Sequence, residues 1–170
     1  VQGFIVEKED EGVTTNTIEN KLSLLLSPTG QVYLNNVFIP KDRILPQTQG
    51  WKSVFSCLNK ARYGIAWGVL GAAEFIWFTV KDYVENRKVF NKPLAGKQLI
   101  QKKLADIQTE ISLGLNGCLQ VGRLLDQNQD VNIAISMLKR NNCKKATDIA
   151  RKSRDMLGAN GLTDDYHVMR

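Results

Sequence analysis

The sequence predicts an α+β chain dominated by helix, in which a few antiparallel strands precede an antiparallel bundle of long helices. Three observations carry this. The first 45 residues hold short β-rich runs separated by turn residues; from about residue 51 the apolar period changes from two to 3.6; and two breaks divide the periodic part into three.

The strands come first. VQGFIVEK and KLSLLLS read as β-rich runs, and QVYLNNVFIP alternates Val32, Leu34, Val37 and Ile39 around an Asn35-Asn36 turn. Ser27-Pro28-Thr29-Gly30 is a turn by composition. So few strands are marginal alone, so residues 1–48 read as the closing part of a larger sheet. Pro40, Pro46 and Gln47-Thr48-Gln49-Gly50 form an irregular crossing into the helical part, residues 49–170.

Leu58, Ala61, Ile65, Val69, Ala72, Ile76, Val80 and Val84 step by three or four, which predicts one helix of ~35 residues, ~50 Å long. Gly64, Gly68 and Gly71 lie inside it at a cost, so close approach of another helix or a ligand is expected there. Asn91-Lys92-Pro93 breaks the pattern. A second helix is predicted on Leu99, Ile100, Leu104, Ile107, Ile111, Leu115, Cys118, Leu119 and Leu125, ending at Gln127-Asn128-Gln129-Asp130. A third follows on Ile135, Leu138, Ala146, Ile149, Ala150, Met156 and Leu157. Gly158-Ala159-Asn160-Gly161 suits its C-cap, and Thr163 or Asp164 would cap a further helix.

Composition excludes several classes. The 170 residues are 43% hydrophobic and 24% charged, with 23 Lys+Arg against 17 Asp+Glu and a net charge of +6. That is globular rather than disordered. No run approaches ~18 uninterrupted apolar residues, and the start lacks a signal pattern. Cys57, Cys118 and Cys143 are too scattered for a disulfide framework or a zinc site and fit a reducing compartment. His167 is the sole histidine, so no metal site is expected, and neither nucleotide-binding glycine fingerprint occurs. Charge is uneven: residues 1–50 carry −2 and residues 51–170 carry +8. The third helix holds Lys139, Arg140, Lys144, Lys145, Arg151, Lys152 and Arg154, so a non-enzymatic helical module binding a protein or nucleic-acid partner is the alternative reading.

Two constellations stand out. Phe55 to Gly64 places Asn59, Lys60 and Arg62 near a helix start, where free N–H groups and the macrodipole favour an anion; an ordinary capped start with solvated cations fits the same spacing. Asn86 to Leu94, with Gln98 beyond, sets Arg87 and Phe90 at a helix junction. It suits either a flat cofactor with a pyrophosphate or a helix C-terminus with cations on its dipole.

CLNKARYGIAWGVLGAAEF (57–75), NRKVFNKPLAGKQLIQKKLADIQTEISLGL (86–115), LKRNNCKKATDIARKSRDMLGANG (138–161) and TDDYHVMR (163–170) together resemble the acyl-CoA dehydrogenase family. The likeness covers essentially the whole chain, and ARYGIAWGVLGA with QLIQKKLAD favours its glutaryl-CoA branch. It implies that residues 1–48 are the closing strands of the middle β-domain and 49–170 an incomplete C-terminal helical domain. The reaction implied is FAD-dependent α,β-dehydrogenation of an acyl-CoA thioester, with decarboxylation to crotonyl-CoA in that branch. The resemblance further implies electron-transfer flavoprotein as redox partner, a homotetramer, no nucleic acid, and a place in fatty-acid and amino-acid catabolism in the mitochondrial matrix or bacterial cytoplasm.

Residue by residue, Phe55, Ser56, Cys57, Leu58, Asn59, Lys60, Ala61 and Arg62 match the substrate segment, with Arg62 facing the CoA part. Arg87, Phe90 and Gln98 match residues that hold FAD from a neighbouring subunit's side, and Asp155, Met156, Leu157, Gly158 and Ala159 match a second FAD turn. Lys60 stands where the family pattern has Asn, and Ala159 where it has Gly. The family's catalytic Glu, in a Tyr-Glu-Gly-Thr-like motif, falls beyond Arg170, so no catalytic residue is expected in this chain and the 170 residues alone are expected to be inactive.

Overall fold

A computed structural model describes residues 1–48 and 50–169 and divides the chain into two compact units, Val1–Ser56 and Cys57–Arg170. Gln49 of the predicted crossing and Arg170 of the final motif lie outside the described residues.

In the first unit, β1 (Val13–Thr17) pairs antiparallel with β2 (Gly30–Leu34), Val13 opposite Leu34 and Thr17 opposite Gly30. This corrects the strand expectation. VTTNT is the partner strand, whereas KLSLLLS is an exposed loop, and of VQGFIVEK only Phe4 forms a bridge, to Ile44. The loop is closed by a charge rather than by a ladder. The Lys21 ammonium donates to the carbonyls of Leu24 and Ser27 and to the Thr29 hydroxyl, leaving Leu22, Leu24, Leu25 and Leu26 in solvent. Arg43 ties the start of the unit to its end, reaching both Asp10 carboxylate oxygens at 2.7 and 2.8 Å and Glu7 at 2.8 Å. That guanidinium, helped by the Glu7 backbone N–H, holds the Asp10 carboxyl below the usual range.

Among the described residues three long helices follow: α1 (Lys52–Asn86), α2 (Gln98–Asp126) and α3 (Asn132–Leu157). The 35 residues of α1 match the predicted length. Interhelical hydrogen bonds fix the directions. Trp77 Nε1 donates to the Leu104 carbonyl and Tyr63 Oη to that of Cys118, so α1 and α2 run antiparallel. Tyr83 Oη reaches the Leu157 carbonyl while Asn142 reaches that of Ala66, so α1 and α3 run parallel. Short connections between consecutive helices produce this arrangement.

The buried stripe of α1 is Ala66, Leu70, Ala73, Ile76, Val80 and Val84. The expected stripe agrees with it only from Ile76 onward. Before Ile76 the buried residues are Ala66, Leu70 and Ala73, each one position after the expected Ile65, Val69 and Ala72, and Leu58 and Ile65 are exposed at 41% and 46%. By length and composition α1 is apolar enough to span a membrane, which the run-length criterion missed; one face of it is buried against α2 and α3, and most of its apolar window is not buried within this chain. No other part of the described chain approaches Gly64, Gly68 or Gly71: a Cβ built at each meets nothing within 4 Å.

Two apolar clusters fill the bundle. One gathers Val80, Val84, Ile107, Ile111, Ile149 and Leu157; the other gathers Ala66, Leu70, Cys118, Val121, Ile135 and Leu138. Across α2 and α3, Lys145 pairs with Glu110 at 2.6 Å, Lys152 with Asp106 at 3.9 Å, and Lys103 with Asp155. Lys144 pairs with Asp148 within α3, so three basic residues of that helix, Lys144, Lys145 and Lys152, are matched by neighbouring carboxylates.

A polar node joins the three helices. Asn142, fully buried, donates to the Ala66 carbonyl at 3.1 Å and to Cys118 Sγ at 3.3 Å, and the Cys118 thiol points at the same carbonyl. Burial pushes the Cys118 thiol up, with the Asn142 hydrogen bond acting the other way. Cys57 is exposed. Iodoacetamide at neutral pH is therefore expected to alkylate Cys57 in the native chain and Cys118 only in denaturant, read by peptide mass spectrometry. Native labelling of Cys118 at the Cys57 rate would refute the buried node.

Candidate functional site

The end of α1, the hairpin after it and the end of α3 surround a cleft of about 370 Å³, lined by Tyr83, Arg87, Val89, Leu94, Ile100 and residues 155–160. Each wall has a local cause. Asn86 ends α1, and β3 (Lys88–Val89) turns back on β4 (Lys92–Pro93) through Phe90 and Asn91, both left-handed at φ 52° and 62°. The primed turn follows from these two positive φ values. The Arg87 carbonyl accepts from the Leu94 N–H at 2.7 Å, which returns the chain past Arg87 and leads into α2.

The opposite wall is the end of α3 and the 3-10 turn Gly158–Leu162. Gly158 has φ +60°, and a Cβ there would meet nothing within 4 Å, so its backbone faces open space. Gly161 is the reverse case: buried, with a built Cβ only 2.5 Å from the Arg154 carbonyl oxygen. Tyr83 ties the walls together, accepting from Asn160 Nδ2 at 3.1 Å and donating to the Leu157 carbonyl at 3.4 Å, while its ring meets Tyr166 edge-on at 5.4 Å. A second depression, about 510 Å³, shares Tyr83 and Arg87 and adds Thr79, Asp82, Asn86 and Tyr166.

The structure thus brings Arg87 together with Asp155, Met156, Leu157, Gly158 and Ala159, 68 to 72 residues later in the chain. Phe90 and Gln98 do not line this cleft. Phe90 sits 88% exposed at the hairpin tip with the Lys97 ammonium 6.0 Å from its ring centre, and Gln98 is exposed at the start of α2. Sequence reasoning missed Tyr83, Ile100 and Asn160, while Val89 and Leu94 lay inside the Asn86 to Leu94 constellation without a role of their own. For Tyr83 a signal existed, since it lies one turn before Arg87 on the same helix face.

The first constellation is corrected in place. α1 begins at Lys52, so Asn59, Lys60 and Arg62 are not in its first turn and their N–H groups are not free for an anion. Phe55 and Ser56 belong to the first unit and Cys57 to Arg62 to the second. Phe55, Ser56, Cys57, Leu58, Lys60 and Ala61 are exposed; Asn59 and Arg62 are half-buried. Arg62 Nη1 donates to Asn59 Oδ1 at 3.0 Å. The expected helix after Thr163 is a 3-10 turn, Asp164–Tyr166, and the Thr163 hydroxyl donates back to the Asn160 carbonyl instead of capping.

The cleft's chemistry is mixed. Arg87 offers a planar fork suited to phosphate, and Gly158 a bare backbone. Asp155, an acceptor only, is neutralised by Lys103 and suits hydroxyls rather than phosphate. Its volume takes part of a dinucleotide rather than the whole.

The family model described as acyl-CoA dehydrogenase, C-terminal domain, matches residues 48–170. A 3-(aryl)acrylate reductase of Clostridium sporogenes is 29% identical over 98% of this chain and 45% of its own length. The mitochondrial short/branched chain specific acyl-CoA dehydrogenase of Bos taurus is 31% identical over 97% of this chain and 38% of its own. The glutaryl-CoA dehydrogenase of Mycobacterium smegmatis superposes with a TM-score of 0.96 at 40% identity, covering 99% of this chain and 44% of that one, and is also known in complex with FADH2. The chain therefore spans less than half the length of these relatives. With the family model covering most of its residues and the whole described fold superposing on one solved member, the chain belongs to the acyl-CoA dehydrogenase family.

Proposed function

We propose that the full-length protein is an FAD-dependent acyl-CoA dehydrogenase acting on glutaryl-CoA, with α,β-dehydrogenation followed by decarboxylation to crotonyl-CoA. The observation that carries the FAD assignment is the convergence of Arg87 and the 155–160 turn on one cleft. The glutaryl assignment rests on the likeness to the Mycobacterium smegmatis enzyme at 40% identity. On this reading residues 1–48 close the middle β-domain and 49–170 form the C-terminal helical domain.

Bound FAD supplies the two-electron acceptor that thioester dehydrogenation requires. This chain's own residues bind and orient. Arg87 would hold the pyrophosphate through its guanidinium, Gly158 would let the backbone approach, and Asp155 would offer an acceptor to hydroxyls. Met156, Leu157 and Ala159 complete that wall, while Phe90 and Gln98 serve the same cofactor from outside the cleft. Residues 55–62 face the acyl-CoA, with Arg62 on the phosphates of its CoA part. No residue of the chain is assigned as the base, and residues 1–170 alone turn over no substrate. Electron-transfer flavoprotein is the acceptor, the assembly is a homotetramer, and the compartment is the mitochondrial matrix or the bacterial cytoplasm according to source.

Arg87→Ala in the full-length protein is expected to weaken FAD retention by about 10-fold to 100-fold, the loss of a charge-assisted hydrogen bond. Flavin content after gel filtration measures it. Undiminished flavin refutes the Arg87 role. Turnover of glutaryl-CoA against straight-chain thioesters tests the substrate.

A further inference from the structure

We infer that Asn132, the first residue of α3, is a positioning residue for Arg62; the inference rests on the proposed contact between Arg62 and the CoA phosphates. Asn59 Nδ2 donates to Asn132 Oδ1 at 2.5 Å, and Asn59 Oδ1 accepts from Arg62 Nη1 at 3.0 Å. Donor chemistry fixes the order of this chain. Arginine only donates, so Asn59 must turn its oxygen toward Arg62 and its amide N–H the other way. Asn132 must then present its oxygen.

Asn132 is itself anchored. Its backbone N–H donates to Asp130 Oδ1 at 3.1 Å, and its carbonyl accepts from the Ser136 hydroxyl at 3.0 Å. The orientation of a cation on α1 is thereby set by the turn between α2 and α3, 70 residues away in sequence. A free arginine side chain samples many rotamers, and tethering one nitrogen leaves the other donors of the fork aimed together. Asn59 lies within the segment already assigned to substrate; Asn132 lies outside every segment so assigned.

The test is a double-mutant cycle on the full-length, flavin-loaded protein, with coenzyme A as the titrant and calorimetry as the readout. Asn132→Ala is expected to weaken coenzyme A about threefold to tenfold, the loss of one hydrogen bond in the chain. Arg62→Ala is expected to weaken it more. Adding Asn132→Ala to Arg62→Ala should then change nothing further, with flavin content and thermal midpoint unmoved throughout. A full additional loss in the Arg62→Ala background makes the effect structural and overturns the inference. Unchanged affinity in Asn132→Ala beside a weakened Arg62→Ala overturns it too, leaving the Arg62 contact standing. Unchanged affinity in Arg62→Ala removes that contact, and the positioning role with it.

Discussion

Gly161→Val is expected to lower the stability of the helical unit by about 3 kcal/mol or more, the upper range for overpacking a site with no room to yield. The added Cβ would stand 2.5 Å from the Arg154 carbonyl oxygen and 2.8 Å from Arg154 Cγ. A carbonyl oxygen is main chain, so no rotamer change relieves the contact. Either the Gly158–Leu162 turn lifts off or the last turn of α3 opens. Both outcomes carry Asn160 away from Tyr83 and deform the wall of the cleft. Thermal unfolding followed by circular dichroism should show a midpoint about 10 °C lower. Gly158→Ala is the instructive contrast. Its side chain would meet open space, so its cost is backbone strain alone at φ 60° and ψ −132°, on the order of 1–3 kcal/mol, with the packing of the turn left intact. A Gly161→Val protein melting with the wild type would mean that the turn does not pack against Arg154 in this way.

Asn142→Ala is expected to cost about 2–4 kcal/mol, from a lost buried amide and the cavity it leaves. Its side chain is the point where α3 engages both the Ala66 carbonyl of α1 and the Cys118 sulfur of α2. Without it, the only interhelical contact left to the Ala66 carbonyl among those described is the long one of 3.7 Å from the Cys118 thiol. Ser153 supplies a control on the same helix. Its Oγ is buried with no partner among the described residues, so Ser153→Ala should be neutral or slightly stabilising. Urea unfolding of the two variants measures the difference. If Asn142→Ala proved as mild as Ser153→Ala, the node would not hold the helices together.

Much of the helical part was legible because its signals are local. The polar break at 127–130 follows the end of α2 and the glycine after Leu157 ends α3 through local backbone chemistry, whereas α1 already stops at Asn86, before Pro93. The strands were less legible. KLSLLLS has the composition of a strand, yet Lys21 satisfies its carbonyls from a side chain, while the pairing strand VTTNT is mostly polar and exposed because its side chains cover nothing. In the site, Arg87 was assigned through the family resemblance, since its spacing alone fits a helix C-terminus with a cation on its dipole equally well. Its companions Tyr83 and Asn160 were missed because only the parallel packing of α1 and α3 brings them together. The helical period was placed from about residue 51, next to the observed Lys52, but Asn59 and Arg62, two or more turns further in, were read as lying at the terminus.

The three bare glycines of α1 have a thermodynamic consequence. Gly64, Gly68 and Gly71 touch nothing that a methyl group would disturb, and each leaves the helix about 1 kcal/mol worse off than alanine would. Together they shift the folding equilibrium of the chain against itself by a factor of about 100. Their other effect is geometric, because a glycine row lets a neighbouring backbone come as close as the α1 main chain itself allows. Within this chain the row is a standing cost, borne on a helix face where Trp67 and Phe75 are also left uncovered by the described residues.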